Sequence, residues 1–296
     1  MNYMSVREAA VKWGITERVV RKYCEEGRVE NAFKTGTVWN IPVNADKPDR
    51  KKRAGKAPGT LLERLRMEKD SSLPGGIYHI TQIDFAYNSN HIEGSRLSHD
   101  QTRYIFETNT IGLENAEVNA DDVVETVNHF RAFDYIIANA GRRVSERMIK
   151  TLHVILKNGT TDSRRPWFAV GDYKRLENEV GGMTTALPEE VPEKMRLLVA
   201  QYNMTPEKTL KDLLEFHYRF EKIHPFQDGN GRVGRLILFK ECLRCGILPF
   251  IIEDSVKMYY YRGLTEWPRQ KGYLLGTCES QQNKYKSLLD YYKIKY

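Results

Sequence analysis

Apolar residues recur at intervals of three and four positions along most of the chain after residue 60, and this spacing predicts a mainly helical protein. The pattern is sustained over residues 121–140 and 145–157, each long enough for several turns. Thr205 is followed by Pro206, which is typical of a helix that begins with a capping residue and a proline in its first turn. We therefore expect one sizeable helical domain in this part of the chain.

Two local signals refine this prediction. Ser98 and Gln101 have the spacing of a capping box, in which each side chain accepts a hydrogen bond from the other residue's backbone N–H, so a helix should begin after Ser98. Residues 160–188 interrupt the helical pattern, and their Gly181-Gly182 pair is typical of a tight hairpin. A short β-hairpin is therefore expected within the helical domain.

The N-terminal segment follows a different pattern. Ser5 and Glu8 form a capping box for a short first helix, and residues 17–26 have helical spacing for a second one. Two segments rich in β-branched and aromatic residues follow, with Thr35-Gly36 as the expected turn between them. The pattern predicts a small unit of two helices and a hairpin.

The net charge of +7 is concentrated in this first segment. Residues 1–56 contain 13 lysines and arginines against 7 acidic residues, whereas the remainder is nearly neutral. Arg18, Arg21 and Lys22 are expected on the outward face of the second helix, and the arrangement resembles winged helix-turn-helix modules of the regulator and excisionase type. The resemblance implies that residues 1–44 bind DNA, with the basic helix in the major groove. A protein-binding module with a solvated basic face is the alternative.

The composition is that of an ordinary globular protein, with 41% hydrophobic and 29% charged residues among 296. No run of about 18 apolar residues is present and the N-terminus lacks an apolar signal core, so we expect no membrane association and a cytoplasmic location. The four cysteines have no spacing typical of a disulfide framework or a zinc site. Residues 45–59, rich in proline, glycine and charge, are predicted to link the first unit to a domain of residues 60–296.

The segment HPFQDGNGRVGR, residues 224–235, carries the strongest chemical signal. It lies between two predicted helices, so its glycines occupy a loop that leads into a helix N-terminus, where free N–H groups favour anions. Gly229 and Gly231 would let the backbone approach phosphate oxygens closely. Arg232 and Arg235 offer two planar guanidinium groups, which suit a polyphosphate better than a single carboxylate.

The same segment contains a metal ligand and a base by residue type. Asp228 can supply an oxygen to a magnesium ion that bridges phosphates, and His224 can accept a proton near neutral pH. A calcium loop is excluded because Val233 stands at the position, counted from Asp228, where that loop requires glycine. No Lys-Ser or Lys-Thr follows the glycines, which excludes the usual phosphate loop.

The segment matches the signature HPFx(D/E)GNGRxxR of the Fic family at every specified position, so the chain is identified by this resemblance as a member of that family. The resemblance implies a mainly α fold, a Fic-type helical bundle with a β-hairpin flap, for residues 60–296. It also implies transfer of AMP from ATP, with Mg²⁺ or Mn²⁺, to a Ser, Thr or Tyr hydroxyl of a target protein or of the chain itself. Oligomerisation is compatible with this activity.

By the same resemblance, the residues of the segment have distinct roles. His224 would be the general base, and Asp228 would hold the metal ion on the α- and β-phosphates. Arg232 would bind the β-phosphate and Arg235 the γ-phosphate. The other residues implied are Phe226, which fixes the loop, and Asn230 with the amides around Gly229 and Gly231, which stabilise charge on the transferred phosphate.

Two further parts of the family's site have counterparts in the chain. The flap would span residues of about 171–188, with Val180 and Gly181 next to the nucleotide, and it would pair with an extended target segment by β-augmentation. Tyr260 and Tyr261 would lie near the adenine. Pro268 stands where some relatives have an asparagine, which is a departure from the family pattern.

The segment SNHIEG, from Ser89 to Gly94, matches the family's inhibitory motif (S/T)xxxE(G/N). Ser89 and Glu93 would share one face of a helix at about residues 80–94. The resemblance implies that Glu93 pairs with Arg235, occupies the position of the γ-phosphate and so prevents productive ATP binding within the same chain.

Two alternatives stay open at this point. The chain could be a DNA-binding regulator whose Fic domain senses nucleotide, although the intact His224 favours an enzyme because sensing requires no base. It could also be a Fic enzyme that transfers UMP or another nucleotide, or one that removes AMP with the help of Glu93.

Overall fold

The computed structural model describes residues 2–48, 59–111, 117–180 and 183–296. The chain divides into two compact units, Met1–Ala57 and Pro58–Tyr296. Residues 49–58, most of the predicted basic linker, lie outside the described residues.

The first unit combines two helices with a small three-stranded antiparallel sheet, in which the last strand along the chain lies between the other two. Its elements are β1 (Tyr3–Met4), α1 (Val6–Trp13), α2 (Glu17–Glu25), β2 (Phe33–Thr35) and β3 (Val38–Pro42).

The predicted capping box opens α1. The Ser5 hydroxyl accepts a hydrogen bond from the Glu8 N–H, and the Glu8 carboxylate accepts one from the Ser5 N–H at 2.7 Å. The two helices and the sheet bury a shared apolar core in which Ala9, Val20 and Ile41 are fully enclosed. A core of this kind gives a small unit its own cohesion.

The second unit is mainly helical, as predicted. Its described residues form helices α3 (Leu61–Ser71), α4 (Ile77–Ile92), α5 (His99–Thr108), α6 (Ala120–Ala138), α7 (Glu146–Lys157), α8 (Val191–Met204), α9 (Leu210–Ile223), α10 (Asn230–Cys245), α11 (Lys257–Glu266) and α12 (Gly272–Tyr291).

Three phenylalanines join α4, α6 and α10 at the centre of this unit. Phe85 lies 5.9 Å from Phe133 and 5.3 Å from Phe239 between ring centroids, and Phe133 lies 5.4 Å from Phe239. All three are buried, and edge-to-face or tilted contacts of aromatic rings stabilise such packing beyond the area they bury. The cluster therefore fixes α10 against α4.

The predicted hairpin is present as strands β4 (Glu179–Val180) and β5 (Met183–Thr184), which pair antiparallel with Glu179 opposite Thr184. The glycines predicted for its turn, Gly181 and Gly182, lie outside the described residues, as does the side chain of Val180.

The helix start predicted at Thr205 is wrong. Thr205 follows the last residue of α8, and α9 begins five residues after Thr205, behind its own capping residue Thr209. Thr209 and Asp212 form a reciprocal capping box, with the Asp212 carboxylate accepting from the Thr209 N–H at 2.8 Å. Proline is also common just after a helix C-terminus because it cannot continue the helix, and Pro206 has that position.

The cysteines are all free thiols, three of them buried. Across the described ranges, no helix is both long and apolar enough to cross a bilayer.

Candidate active site

The segment 224–235 forms a short loop and the first turns of α10. Helix α9 ends at Ile223, and His224 then adopts a left-handed conformation with φ of 52°, its N–H donating to the Phe220 carbonyl at 2.9 Å. Gly229, with φ of 80°, precedes the first residue of α10. The left-handed region disfavours side chains, so the tight turn at His224 is held by its surroundings rather than by local preference.

Asn230 closes this loop on itself. Its Oδ1 accepts from the Phe226 N–H and its Nδ2 donates to the Phe226 carbonyl, both at 2.8 Å. The Phe226 ring is fully buried and stacks on His153 with ring centroids 4.0 Å apart. Since both polar atoms of the Asn230 amide are engaged, that side chain is placed to shape the loop.

Arg235 projects from α10 to the end of α4, where it contacts Ser89 and Glu93 of the segment SNHIEG. Its Nη2 donates to the Ser89 carbonyl at 2.8 Å and to the Glu93 Oε1 at 2.7 Å, and its Nε donates to the Ser89 hydroxyl at 3.1 Å. The Arg235 side chain is 2% exposed and that of Glu93 28%. A Cβ built on Gly231 would overlap the Glu93 carboxylate, so this glycine leaves the space that Glu93 fills. Gly94 follows with φ of 99°, a conformation that favours glycine.

Arg232 belongs to a second charged cluster that sequence reasoning missed. Its Nη2 lies 3.0 Å from Asp228 Oδ2, and its Nη1 donates to the carboxylate of Glu125 on α6. The Lys157 ammonium, from α7, lies 2.6 Å from both the Glu125 and the Asp228 carboxylates. Glu125 and Lys157 are distant in sequence from the motif and fall within ordinary helical patterns, so no local signal identifies them.

Replacing Lys157 by methionine should lower the free energy of unfolding of the second unit by about 2–4 kcal/mol, because the largely buried Glu125 carboxylate and the partly exposed Asp228 carboxylate would lose a shared, buried cation. The Lys157 side chain is 2% exposed. Lys150→Met on the same helix is the matched control, since its pair with Asp172 is 33% and 65% exposed. That variant should change stability by less than about 1 kcal/mol. Denaturant unfolding measures both, and equal losses would contradict the prediction.

The imidazole of His224 is largely enclosed, with its side chain 15% exposed. Burial, together with the nearby Lys174 ammonium, lowers the pKa of His224 to about 4. At neutral pH the ring is therefore uncharged and can accept a proton, as a general base must. The left-handed backbone of His224 places the ring at the C-terminal end of α9.

Glu221, one helical turn before His224, is a second residue that sequence reasoning missed. Its Oε2 lies 4.0 Å from His224 Nδ1. Burial raises the pKa of Glu221 to about 8, so its carboxyl group is mostly protonated at neutral pH. His217 donates or accepts at 2.6 Å with the Tyr260 hydroxyl, and burial lowers the pKa of His217 to about 3. His217 is thus neutral and buried, which suits a packing role.

His224, Glu221 and Arg235 line a cavity of about 600 Å³, which we call the catalytic cavity. Of the predicted residues it brings together Glu93, His224, Gly231, Arg235, Tyr260 and Tyr261. Tyr260 is 1% exposed and contributes a wall, whereas Tyr261 is 38% exposed. Further lining residues that were not predicted are Thr184, Thr185, Tyr218, Glu221, Lys222, Met258 and Arg262. Gly181 and the Val180 side chain lie outside the described residues.

Asp228 alone offers too few oxygen atoms to hold a metal ion, so a bound phosphate group would have to supply further ones. The Asp228 side chain is 43% exposed, and its Oδ2 accepts from Lys157 and Arg232. In the portion of the chain that the structure describes, no group of three or more His, Cys, Asp or Glu side chains could hold a metal. Magnesium commonly takes one or two carboxylates and completes its shell with phosphate oxygens and waters, which fits this single carboxylate.

The three basic residues predicted to contact DNA are all exposed on α2 of the first unit. Arg21 pairs with Glu17 at 2.9 Å, and Lys22 lies 3.9 Å from Glu26. Val20, Tyr23 and Cys24 are buried, so α2 presents its basic face to solvent.

Together, fold and site define a helical domain with a glycine-bordered anion loop at a helix N-terminus and a neutral histidine beside it. Residues 143–241 match the family model described as Fic/DOC family. About a third of the chain, including the segment 224–235, is therefore similar to Fic domains.

Curated relatives and solved structures agree with this assignment. The chain is 28% identical over 186 residues to protein adenylyltransferase Fic of Drosophila grimshawi, covering 60% of this chain and 36% of the relative. Against the protein of the same name from Nematostella vectensis it is 25% identical over 226 residues, covering 70% and 50%. The chain thus spans about a third to a half of the length of these relatives.

Among solved structures, a Fic-domain-containing signalling protein of Bacteroides thetaiotaomicron is similar with a TM-score of 0.58 and 25% identity, over 78% of this chain and 90% of that one. Fic-1 of C. elegans is similar in fold, with a TM-score of 0.60 and 19% identity, over 78% and 72% of the two chains. The Fic fold thus extends over most of the chain.

Proposed function

We propose that the protein is an adenylyltransferase that transfers AMP from ATP to a hydroxyl group of a target protein or of itself, and that Glu93 inhibits it within the same chain. The observation that carries this proposal is that the neutral His224, Arg235 and Gly231 in the first turn of α10 line the same cavity. A base and an anion site facing one space are what nucleotidyl transfer to a hydroxyl requires.

In the proposed reaction, the neutral imidazole of His224 accepts the proton of the attacking hydroxyl. The oxygen forms a bond to the α-phosphorus of ATP while the bond to the pyrophosphate leaving group breaks. Amide groups at the N-terminus of α10 would stabilise the charge on the phosphate group during its transfer. Asp228 would hold Mg²⁺, which neutralises phosphate charge when bound.

Asn230 contributes by holding the loop shape, because its amide is taken up by the backbone of Phe226. Arg232 and Arg235 would bind the β- and γ-phosphates. In the resting state Arg235 is instead paired with Glu93, which is consistent with a blocked γ-phosphate position. Arg232 would have to exchange Glu125 for phosphate oxygens in the same way.

Intact-mass measurement with different donors tests the proposal. The Glu93→Gly variant is incubated with ATP, GTP or UTP and Mg²⁺ or Mn²⁺, and the mass added to the protein identifies the group transferred. We expect addition of AMP from ATP. Addition of UMP or GMP instead would establish another nucleotide, and loss of AMP from a pre-modified sample incubated with the wild-type protein, which retains Glu93, would establish removal of AMP.

The pH dependence of transfer should reflect the lowered pKa of His224. The base is active when neutral, so the rate falls only as pH drops through its pKa of about 4. We therefore expect kcat/KM to be level from about pH 5.5 to pH 7, without the decline near pH 6.5 that an ordinary histidine gives. A rate profile of Glu93→Gly measures this, and an acidic limb centred near pH 6.5 would contradict it.

We further propose that the first unit binds DNA through α2. Support comes from the basic excess of this segment and from the exposure of Arg18, Arg21 and Lys22 on the face opposite the buried Val20 and Tyr23. Phosphate contacts of this type give affinity that falls steeply with salt.

Replacing Arg18 and Lys22 by alanine should weaken binding to a duplex of random sequence and reduce the salt slope by about 2. Fluorescence anisotropy of labelled DNA measures both quantities. The double variant Arg143→Ala, Lys211→Ala removes the same charge from exposed positions of the second unit and should leave binding unchanged. If the two double variants weakened binding equally, the protein would bind DNA by non-specific charge attraction rather than through α2.

The nucleotide-sensing alternative makes a different prediction about phenotype. If the chain were a DNA-binding regulator without turnover, loss of its biological effect would follow from Arg21 and Lys22 substitutions but not from His224→Ala. If the chain is an enzyme, its biological effect should be lost with His224→Ala, whether or not the first unit binds DNA.

A further inference from the structure

A second cavity of about 410 Å³ adjoins the catalytic cavity on the side of helices α8 and α9. Thr184, Thr185, Tyr218 and Lys222 line both, so the two form one continuous depression. The backbone that leaves β5 forms one of its walls, and α8 and α9 form the other. A chain that follows the hairpin out of the catalytic cavity would enter this groove.

The groove is basic. Lys194, Arg219 and Lys222 line it, and no acidic side chain does so among its described lining residues. Lys194 pairs at 2.8 Å with Glu190, but the two side chains are 46% and 42% exposed, so solvent weakens that pair. Lys222 is exposed and Arg219 half-buried.

A further, smaller cavity next to the hairpin is acidic. Glu177 and Glu179 line it, and it shares Thr184 and Thr185 with the basic groove. An extended segment bound along β5 would therefore meet negative charge at one cavity and positive charge at the other.

We propose that the basic groove binds acidic side chains that flank the accepting hydroxyl, so that targets carry Asp or Glu next to the modified residue. The proposal rests on the proposed function, since it places the target hydroxyl at His224. Lys222 lines both the catalytic cavity and the basic groove and lies two residues before His224, so the groove begins next to the proposed position of the hydroxyl.

Binding of two synthetic peptides tests this assignment without requiring turnover. Both carry one central Thr and a fluorescein label, and the flanking positions are Glu in one and Lys in the other. Fluorescence anisotropy with the full chain should give about five- to tenfold tighter binding of the Glu peptide at low salt. The preference should shrink at about 0.5 M salt because exposed charge pairs are screened.

Charge reversal at the groove should invert the preference. Lys194→Glu with Arg219→Glu, at two positions that line the basic groove but not the catalytic cavity, should bind the Lys peptide more tightly than the Glu peptide. The matched control Arg143→Glu with Lys211→Glu changes the net charge equally at exposed positions that line none of these cavities, and it should keep the original preference. Equal binding of both peptides, or inversion by the control as well, would overturn the proposal.

Transfer assays separate this proposal from the proposed function. In the Glu93→Gly background with ATP and Mg²⁺, the Glu peptide should gain AMP faster at subsaturating concentration, and charge reversal should raise its KM while leaving the KM for ATP unchanged. A raised KM for ATP would mean that the groove serves the nucleotide, and would overturn the inference. Selective binding of the Glu peptide without any transfer of AMP would support the proposed role of the basic groove and refute adenylyl transfer.

Discussion

Replacing Glu93 by glycine should raise AMP transfer by about 30-fold or more at an ATP concentration below saturation, which corresponds to removal of about 2 kcal/mol of competing interaction. Glu93 makes a charge-assisted contact of 2.7 Å with Arg235, whose side chain is 2% exposed. Water screens such a pair poorly, so a γ-phosphate must displace a strong partner. Intact-mass analysis over time gives the rate.

Graded variants show whether charge or space is responsible for the effect. Glu93→Gln keeps the size and a hydrogen-bonding oxygen but removes the charge, so it should give an intermediate rate. Ser89→Ala removes only the hydroxyl that accepts from Arg235 Nε and leaves the Ser89 carbonyl in place, so its effect should be small. A Glu93→Gly protein as inactive as the wild type would refute inhibition by this contact.

Replacing His224 by alanine should reduce transfer by about 100-fold or more in the Glu93→Gly background, because a positioned base contributes that much to proton transfer. Binding of ATP should stay within about twofold, since the anion site is formed by α10 and its arginines. Alanine and histidine both have a Cβ, so the left-handed φ of 52° is no worse for the variant. Rate and nucleotide affinity are measured on the same preparation.

His99→Ala is the matched control for loss of a histidine. His99 lies on α5 with its side chain 47% exposed and pairs with Asp84 at 2.8 Å, away from the catalytic cavity. Transfer by that variant should equal that of its parent. If His224→Ala kept most of the rate, the proposed role of His224 as the base would be refuted.

Local features of the chain were predictable where a few neighbouring residues decide the outcome. The capping boxes at Ser5 and Ser98 are confirmed because each is closed by a residue three positions away. The start of α9 was mispredicted because Thr205-Pro206 and Thr209-Asp212 both resemble helix boundaries. Only the packed structure assigns the first pair to the end of α8.

Contacts between distant elements could be inferred only where a motif names both partners. The contact of Glu93 with Arg235 is present as the family resemblance implied, and the packing of Phe85 against Phe239 brings the two helices together. That the contact of Glu93 with Arg235 inhibits the protein stays a prediction. The contact of Arg232 with Glu125, 107 positions apart, belongs to no motif and was not foreseen. Glu221 could have been noticed, since a carboxylate three residues before the histidine shares its helix face.

The contact between Glu93 and Arg235 joins two parts of one chain, so Glu93 acts as a tethered ligand. A tethered group has an effective concentration on the order of millimolar, which dilution or overexpression of the protein does not change. On the proposed mechanism, ATP in solution competes with this fixed internal concentration. Activity would then respond to the nucleotide level of the cell rather than to the abundance of the protein.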